Sequence, residues 1–209
     1  MTDPRHALIV TANALQPAGL NRGTAGNVSV RHGNGFYITL TGMPYAVLEA
    51  DDIPWLALNG SPEGRRKPSS EWRLHRDLYV ARPEVGAVLH AHSPFAVSLA
   101  CLRRDIPPFH YMIARFGGDS IRCADYALFG SAELSVAALA AMTERKGCLL
   151  ANHGLLVAGR DLDEALALAT ELEELCEQYW HACQLGRPIL LGEAEMAAVL
   201  EKFAGYGQQ

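Results

Sequence analysis

A chain of 209 residues, 49% of them hydrophobic, has enough apolar side chain to bury one sizeable core, so a single domain spanning residues 1–209 is expected. A formal net charge of −5 argues against a nucleic-acid partner, whose phosphates require a basic face. No apolar run approaches the roughly 18 residues of a membrane span, and Met1-Thr-Asp-Pro-Arg5 lacks a basic segment followed by an apolar one; no membrane partner and a cytoplasmic location are expected.

Asp3-Pro4 opens a helix whose apolar positions Leu8, Ile9, Ala12 and Leu15 carry one face to a stop near Gly19. After a Gly-rich loop, alternating Val28-Ser-Val30 and the His32-Gly-Asn-Gly35 turn lead into Phe36 to Leu40, a β-hairpin broken by Thr41-Gly-Met-Pro44. Arg65-Arg-Lys67 reads as a solvated loop tip. Pro68-Ser-Ser70 enters a helix from Glu71 to Val80, with Trp72, His75, Leu78 and Tyr79 near one face. Val85 to His92 is predicted to be a strand, with Ser93-Pro94 capping the helix after it. Residues 131–145 read as helix, and Cys148 to Val157 as two short strands around Asn152-His-Gly154. Asp161 with Glu164 resembles a capping box for a long helix to about Leu185, striped by Leu168, Leu172, Leu175 and Tyr179. A last helix runs from about Glu193 to Phe203. Strands between flanking helices predict an α/β or α+β sandwich, whose topology periodicity does not choose. Cys101, Cys123, Cys148, Cys176 and Cys183, with no Cys-x-x-Cys spacing, are expected to be reduced packing residues.

Side chains two apart on a strand share a face, so His90 and His92 can point at one metal ion while Leu89 and Ala91 face the other way. His153 ends another apolar run before a glycine and offers a third imidazole. Three imidazoles suit zinc, iron or copper, and a catalytic zinc site takes three protein ligands and keeps a position open. The bland alternative is a set of hydrogen-bonded residues at strand ends. His6, His32, His75, His110 and His181 lack such a setting and read as surface or helix-packing residues, with His110 kept open. Gly23-Thr-Ala-Gly-Asn27, Thr41-Gly42 and Ser69-Ser70 offer N–H and hydroxyl donors to a phosphate, although each also reads as a turn or a helix cap. Glu71 beside them is either an ordinary first-turn helix charge or, taken with three histidines, an acid/base group or fourth ligand. Walker, dinucleotide and serine-elbow motifs are absent.

The segments Gly19-Leu-Asn-Arg-Gly-Thr-Ala-Gly-Asn-Val-Ser-Val30, Thr41-Gly-Met-Pro-Tyr45, Pro68-Ser-Ser-Glu-Trp72, His90-Ala-His92, His110-Tyr-Met-Ile-Ala114, Tyr126-Ala-Leu-Phe-Gly130 and Asn152-His-Gly154, in this order and spacing, resemble the class II (zinc) aldolase/adducin-head family. The resemblance implies a three-layer α/β/α sandwich with a mainly antiparallel sheet, assembled as a homotetramer with active sites between subunits. It implies one Zn2+ per subunit, or another divalent transition metal, on His90, His92 and His153, with Glu71 as catalytic acid/base and resting ligand. It assigns Gly26, Asn27, Thr41, Gly42, Ser69 and Ser70 to the substrate phosphate, Tyr111 to a neighbouring subunit's site, and Tyr206 to a tail that closes over substrate. The implied reaction is reversible cleavage of a phosphorylated sugar, a 1-phosphoketose of the L-fuculose 1-phosphate type, to dihydroxyacetone phosphate and a small aldehyde. Alternatives on the same scaffold are an aldolase for 5-deoxy- or methylthio-ribulose 1-phosphate, a pentulose-phosphate epimerase, a methylthioribulose-1-phosphate dehydratase, or a non-catalytic interaction domain. Asn152, in place of a histidine, and Arg115 and Phe116, in place of small residues, depart from the pattern; the latter two are expected to bear on aldehyde specificity.

Overall fold

The computed structural model describes residues 3–204. The first helix, α1 (Pro4–Ala14), begins where Asp3 accepts the Arg5 backbone N–H, with Pro in the first turn where no donor is lost. The hairpin follows as β1 (Asn27–His32) and β2 (Gly35–Ile38), paired antiparallel from Ser29 opposite Ile38 to His32 opposite Gly35. Two short strands that the sequence reading missed continue the sheet, β3 (Trp55–Ala57) and β4 (Pro62–Glu63). Runs this short carry no readable alternation, so only pairing to β2 makes them strands.

Next come α2 (Trp72–Ala81), β5 (Ala87–Ala91) and α3 (Pro94–Ala100). Tyr111–Phe116 forms a six-residue 3₁₀ segment, followed by β6 (Cys123–Ala124), α4 (Ala132–Ala141), β7 (Gly147–Leu150) and β8 (Gly154–Gly159). The chain closes with α5 (Leu162–Leu185) and α6 (Glu193–Ala204). The eight strands run in the order β4-β3-β2-β1-β5-β8-β7-β6, every pair antiparallel except β6 with β7.

Two cores separate on the two sides of this sheet. Leu8, Leu89, Leu155, Leu168, Leu172 and Leu175 join α1, α3 and α5 to one face. Phe36, Val88, Leu156, Leu74, Leu78 and Leu134 join α2 and α4 to the other. The expected three-layer α/β/α sandwich with a mainly antiparallel sheet is therefore the fold. Burying each leucine of the α5 stripe contributes roughly 1.5–3 kcal/mol, which commits the long helix to that face.

Several local expectations need correction. Ser93 occupies the N-cap of α3, but its hydroxyl donates to Glu173, and Glu173 of α5 accepts the Phe95 and Ala96 N–H groups at 2.8 and 2.9 Å. The cap is thus supplied across the core by a carboxylate, the better match to the positive helix end. Asp161 does accept the Glu164 N–H, whereas the Glu164 carboxylate reaches Arg160 and Lys146, so the capping box is only half formed. Arg65-Arg-Lys67 is the expected exposed loop tip, with Arg65 and Arg66 also paired with the buried Asp52. Cys148 and Cys176 are buried as expected, but Cys101 and Cys183 are exposed thiols. Phe116 is fully buried, and Arg115 pairs with Glu171 of α5 at 2.9 Å, so both serve the fold of their own chain.

Candidate metal centre and active-site cleft

β5 lies between β1 and β8, with His90 opposite Asn27 on one side and Leu156 on the other. Strand pairing therefore fixes the His90 backbone from both edges. Its Nδ1 lies 2.8 Å from the Leu155 carbonyl oxygen, which can only accept, so Nδ1 carries the proton and Nε2 presents a lone pair. His92 stands one residue beyond the strand, its backbone N–H bound to Asn21 Oδ1. His153 comes from the turn between β7 and β8. Asn152 in that turn is left-handed, with φ +55°, a conformation that Asn and His both tolerate better than most residues. The replacement noted in the sequence is therefore compatible with the same turn.

Two glycines let the backbone close around these ligands. A Cβ on Gly26 would lie 2.7 Å from the His90 carbonyl oxygen, and one on Gly154 would lie 2.3 Å from that of Ala91. Gly26 is thus required by packing against the ligand strand.

Ligand atoms of Glu71, His90, His92 and His153 all lie within 4.8 Å of one another. The Nε2 atoms of His90 and His92 are 2.9 Å apart, and each carboxylate oxygen of Glu71 is 3.3 Å from a ring nitrogen, Oε2 from His90 and Oε1 from His153. The three rings meet pairwise at 73°, which aims their edges at a common point. Burial, and then the neighbouring rings, lower the pKa of His92 and His153 to about 4, so both are neutral and able to ligate near neutral pH. For Glu71, burial disfavours the charge, but His90, His153 and the Asn27 donor outweigh it and hold the carboxyl well below its usual range. Glu71 Oε1 is buried without a hydrogen-bond partner. Three imidazoles, a carboxylate and an orphaned buried oxygen fit a divalent transition-metal ion.

Glu71 occupies the N-cap of α2, yet its side chain caps nothing there. Its backbone N–H donates to Ser69 Oγ at 3.3 Å, and Asn27 Nδ2 donates to its Oε2 at 3.0 Å. The helix start therefore aims the carboxylate into the histidine cluster.

The three small-residue segments are adjacent. The Ser69 N–H donates to the Thr39 carbonyl, Leu40 bridges to Pro68, and Thr39 also bonds to Val28 on both its backbone N–H and its hydroxyl. Within this group Thr41, Gly42 and Ser70 are exposed, whereas Asn27 and Ser69 are buried. The Asn27 amide is engaged on both sides, with Glu71 and with His75.

A cleft of about 270 Å³ opens on the cluster, lined by Ser70, Glu71, His92, Tyr126, Phe129 and His153 among others. Tyr126 and Phe129, quoted in a motif but given no role by the sequence reading, form its apolar wall. The signal was present, since two aromatic residues in an otherwise turn-like segment have little reason to face solvent. Arg103 bonds Asn152 Oδ1 at 2.7 Å and lies over the Tyr126 ring, linking that wall to the His153 turn. Tyr111 is elsewhere: half exposed, it lines a separate cavity with Met112, Val199, Lys202 and Phe203. His110 caps the 3₁₀ segment by accepting the Met112 N–H. Tyr206 lies outside the described residues. Asn21 and His75, both buried beside the cluster, were missed; a buried histidine on a helix looks like any packing residue until its partners are known.

Residues 6–180 match the family described as Class II Aldolase and Adducin N-terminal domain. The chain is 54% identical over 203 residues to a 5-methylthioribulose-1-phosphate/5-deoxyribulose-1-phosphate aldolase of Rhodospirillum rubrum, covering 97% of this chain and 92% of that protein. It is 45% identical over 201 residues to an L-fuculose phosphate aldolase of Escherichia coli, covering 96% and 94%. A solved structure of an L-fuculose 1-phosphate aldolase superposes with a TM-score of 0.93 at 38% identity, covering 98% of this chain and 97% of that one.

Proposed function

This chain belongs to the class II aldolase and adducin N-terminal domain family and is a metal-dependent aldehyde-lyase, and we propose that it cleaves a 5-deoxy- or 5-methylthio-pentulose 1-phosphate to dihydroxyacetone phosphate and acetaldehyde or (methylthio)acetaldehyde, respectively. The observation that carries the substrate is the identity to the Rhodospirillum rubrum protein across nearly the whole chain, which exceeds that to the Escherichia coli L-fuculose phosphate aldolase. The apolar wall of Tyr126 and Phe129 supports it, since a methyl or methylthio end offers no hydrogen bond and gains from apolar contact. L-Fuculose 1-phosphate, the leading expectation from motifs alone, becomes the second substrate to assay. A non-catalytic role is disfavoured by the intact ligand set.

His90, His92 and His153 would hold the ion, with Glu71 as a fourth ligand before substrate enters; we assign zinc on the strength of the three imidazoles. Bound there, a divalent ion supplies a Lewis acid for the substrate carbonyl and the adjacent hydroxyl. Glu71 delivers the proton that C3 needs when the C3–C4 bond breaks, and removes it in synthesis. Thr41, Gly42 and Ser70 present exposed donors for the substrate phosphate, while buried Asn27 and Ser69 and half-buried Gly26 shape the pocket from behind. Tyr111 takes part in removing the C4 hydroxyl proton. Because Tyr111 lines no part of its own chain's cleft, we place it in the site of a neighbouring subunit of a homotetramer.

The decisive assay follows dihydroxyacetone phosphate release by the zinc-loaded enzyme from 5-deoxyribulose, 5-methylthioribulose and L-fuculose 1-phosphates. The substrate assignment fails if the fuculose ester has the highest kcat/KM. For Tyr111, inactive Tyr111→Phe and His92→Ala tetramers are dissociated and reassembled together; mixed tetramers without recovered activity would refute the trans role.

A further inference from the structure

A buried polar series runs from Glu71 into the core between β1 and α2. Asn27, Ser29, His75 and Tyr79 are each no more than 2% exposed. Chemistry orients every link. The Glu71 carboxylate accepts, so Asn27 donates to its Oε2 through Nδ2 at 3.0 Å. Asn27 Oδ1 consequently faces His75 Nε2 at 2.5 Å, and because an amide oxygen only accepts, Nε2 carries the proton. In a neutral ring Nδ1 is then bare, and it accepts from the Ser29 hydroxyl at 2.7 Å. The single Ser29 proton being used, Ser29 Oγ accepts from the Tyr79 hydroxyl at 2.8 Å. Burial keeps His75 neutral, with its pKa lowered to about 3, in agreement with this order.

Four donors thus point one way and end on Glu71. We propose that His75 is a positioning residue for this carboxylate: it fixes the Asn27 amide with its N–H toward Glu71 Oε2, and so leaves Oε1, which has no hydrogen-bond partner, as the oxygen that exchanges the substrate proton. If the His75 donor is lost, the amide is free to turn, and its oxygen then faces Oε2 and repels it. The role of His75 rests on the reading in which Glu71 moves a proton; the donor series itself does not.

Two measurements test it. In metal-free protein with ¹⁵N-labelled histidine, His75 is expected as the neutral Nε2–H tautomer with an unprotonated, hydrogen-bonded Nδ1 between pH 5 and 8. A protonated Nδ1 overturns the series, whether or not the enzyme turns over. In the zinc-loaded enzyme, His75→Met is expected to lose roughly 10–100-fold in kcat, the usual range for removal of a group that orients a ligand, with KM and metal content unchanged. His75→Gln, whose amide nitrogen can take the Nε2 position, is expected to recover most of that loss. A wild-type kcat in His75→Met, or His75→Gln no better than His75→Met, refutes the positioning role. Should His75→Met not fold, Gln against wild type together with the imidazole spectrum decides. A wild-type protein that cleaves no phosphoketose would sink the reaction, while the spectrum would still judge the series.

Discussion

The histidine cluster and the rim of the cleft above it are built in opposite ways. His90 is wholly buried on a central strand, paired on both sides, and its ring is oriented by the Leu155 carbonyl. Tyr126 and Phe129 on the rim are 55% and 62% exposed, in a segment that belongs to no helix or strand. Holding a metal and a proton-transferring carboxylate requires fixed, desolvated groups, because a small displacement costs rate steeply. Choosing among aldehydes requires only a surface of suitable polarity. The cluster is therefore anchored on β5 and on the ends of elements packed around it, and the proposed selectivity falls to a loop beside it.

The comparison breaks most decisively if the cluster tolerates damage. His92→Ala removes one of three imidazoles at a half-buried position just beyond β5, so the chain stays folded. Metal content by elemental analysis should collapse, and cleavage should fall by more than about 100-fold, beyond what loss of an orienting group costs. A fully metallated, active variant would disprove the assignment. Glu71→Gln keeps the size of the side chain but cannot exchange protons. It should retain metal on the three histidines and lose roughly 10²–10⁴-fold in turnover. Solvent-proton exchange into dihydroxyacetone phosphate should fall in parallel; a preserved exchange rate would reduce Glu71 to a ligand.

What the sequence disclosed follows the same division. His-x-His at the end of an apolar run and a third histidine before a glycine were legible because strand period and ligand chemistry are local properties. The order of helices was legible from caps and 3.6-residue stripes. Strand order was not, since it depends on pairings between segments far apart, such as β1 with β5 and β5 with β8. Glu173 capping α3 and His75 bracing Asn27 were hidden for the same reason, their partners lying 77–80 and 48 residues away. The structural partners of Arg115 and Phe116 were hidden likewise, since an ion pair to Glu171, 56 residues away, and a place in the core depend on a helix distant in the chain.

A smaller effect sharpens the contrast through pH. His75 ionises near 6.5 in the unfolded chain and only at about 3 in the folded one. Below 6.5 the unfolded state binds a proton that the folded state refuses, so stability is complete above about 6.5 and declines as pH falls toward 3. The slope from this one group approaches about 1.4 kcal/mol per pH unit. Urea unfolding of metal-free protein between about pH 7 and pH 4.5 should show a shallower decline in His75→Gln by close to one proton. Equal slopes would mean that His75 is not held neutral by burial.

The smallest effect concerns the rim and tests whether it selects at all. Phe129→Ala should cost little stability, about 0.5 kcal/mol or less, because most of the ring faces solvent. The Phe129 ring carries no metal ligand and no phosphate donor, so turnover on a substrate with a polar aldehyde end should change little. A methylthio end would lose its apolar contact, and differences of that kind are worth about 1–3 kcal/mol per methylene-sized group in a pocket. With only a partly enclosed wall the low end of that range applies. The ratio of kcat/KM for 5-methylthioribulose 1-phosphate to that for L-fuculose 1-phosphate should therefore fall roughly tenfold. The same change should appear in KM more than in kcat, since the contact is made in ground state and transition state alike. An unchanged ratio would mean that the aldehyde end never meets Phe129 and that selectivity lies elsewhere than on this wall.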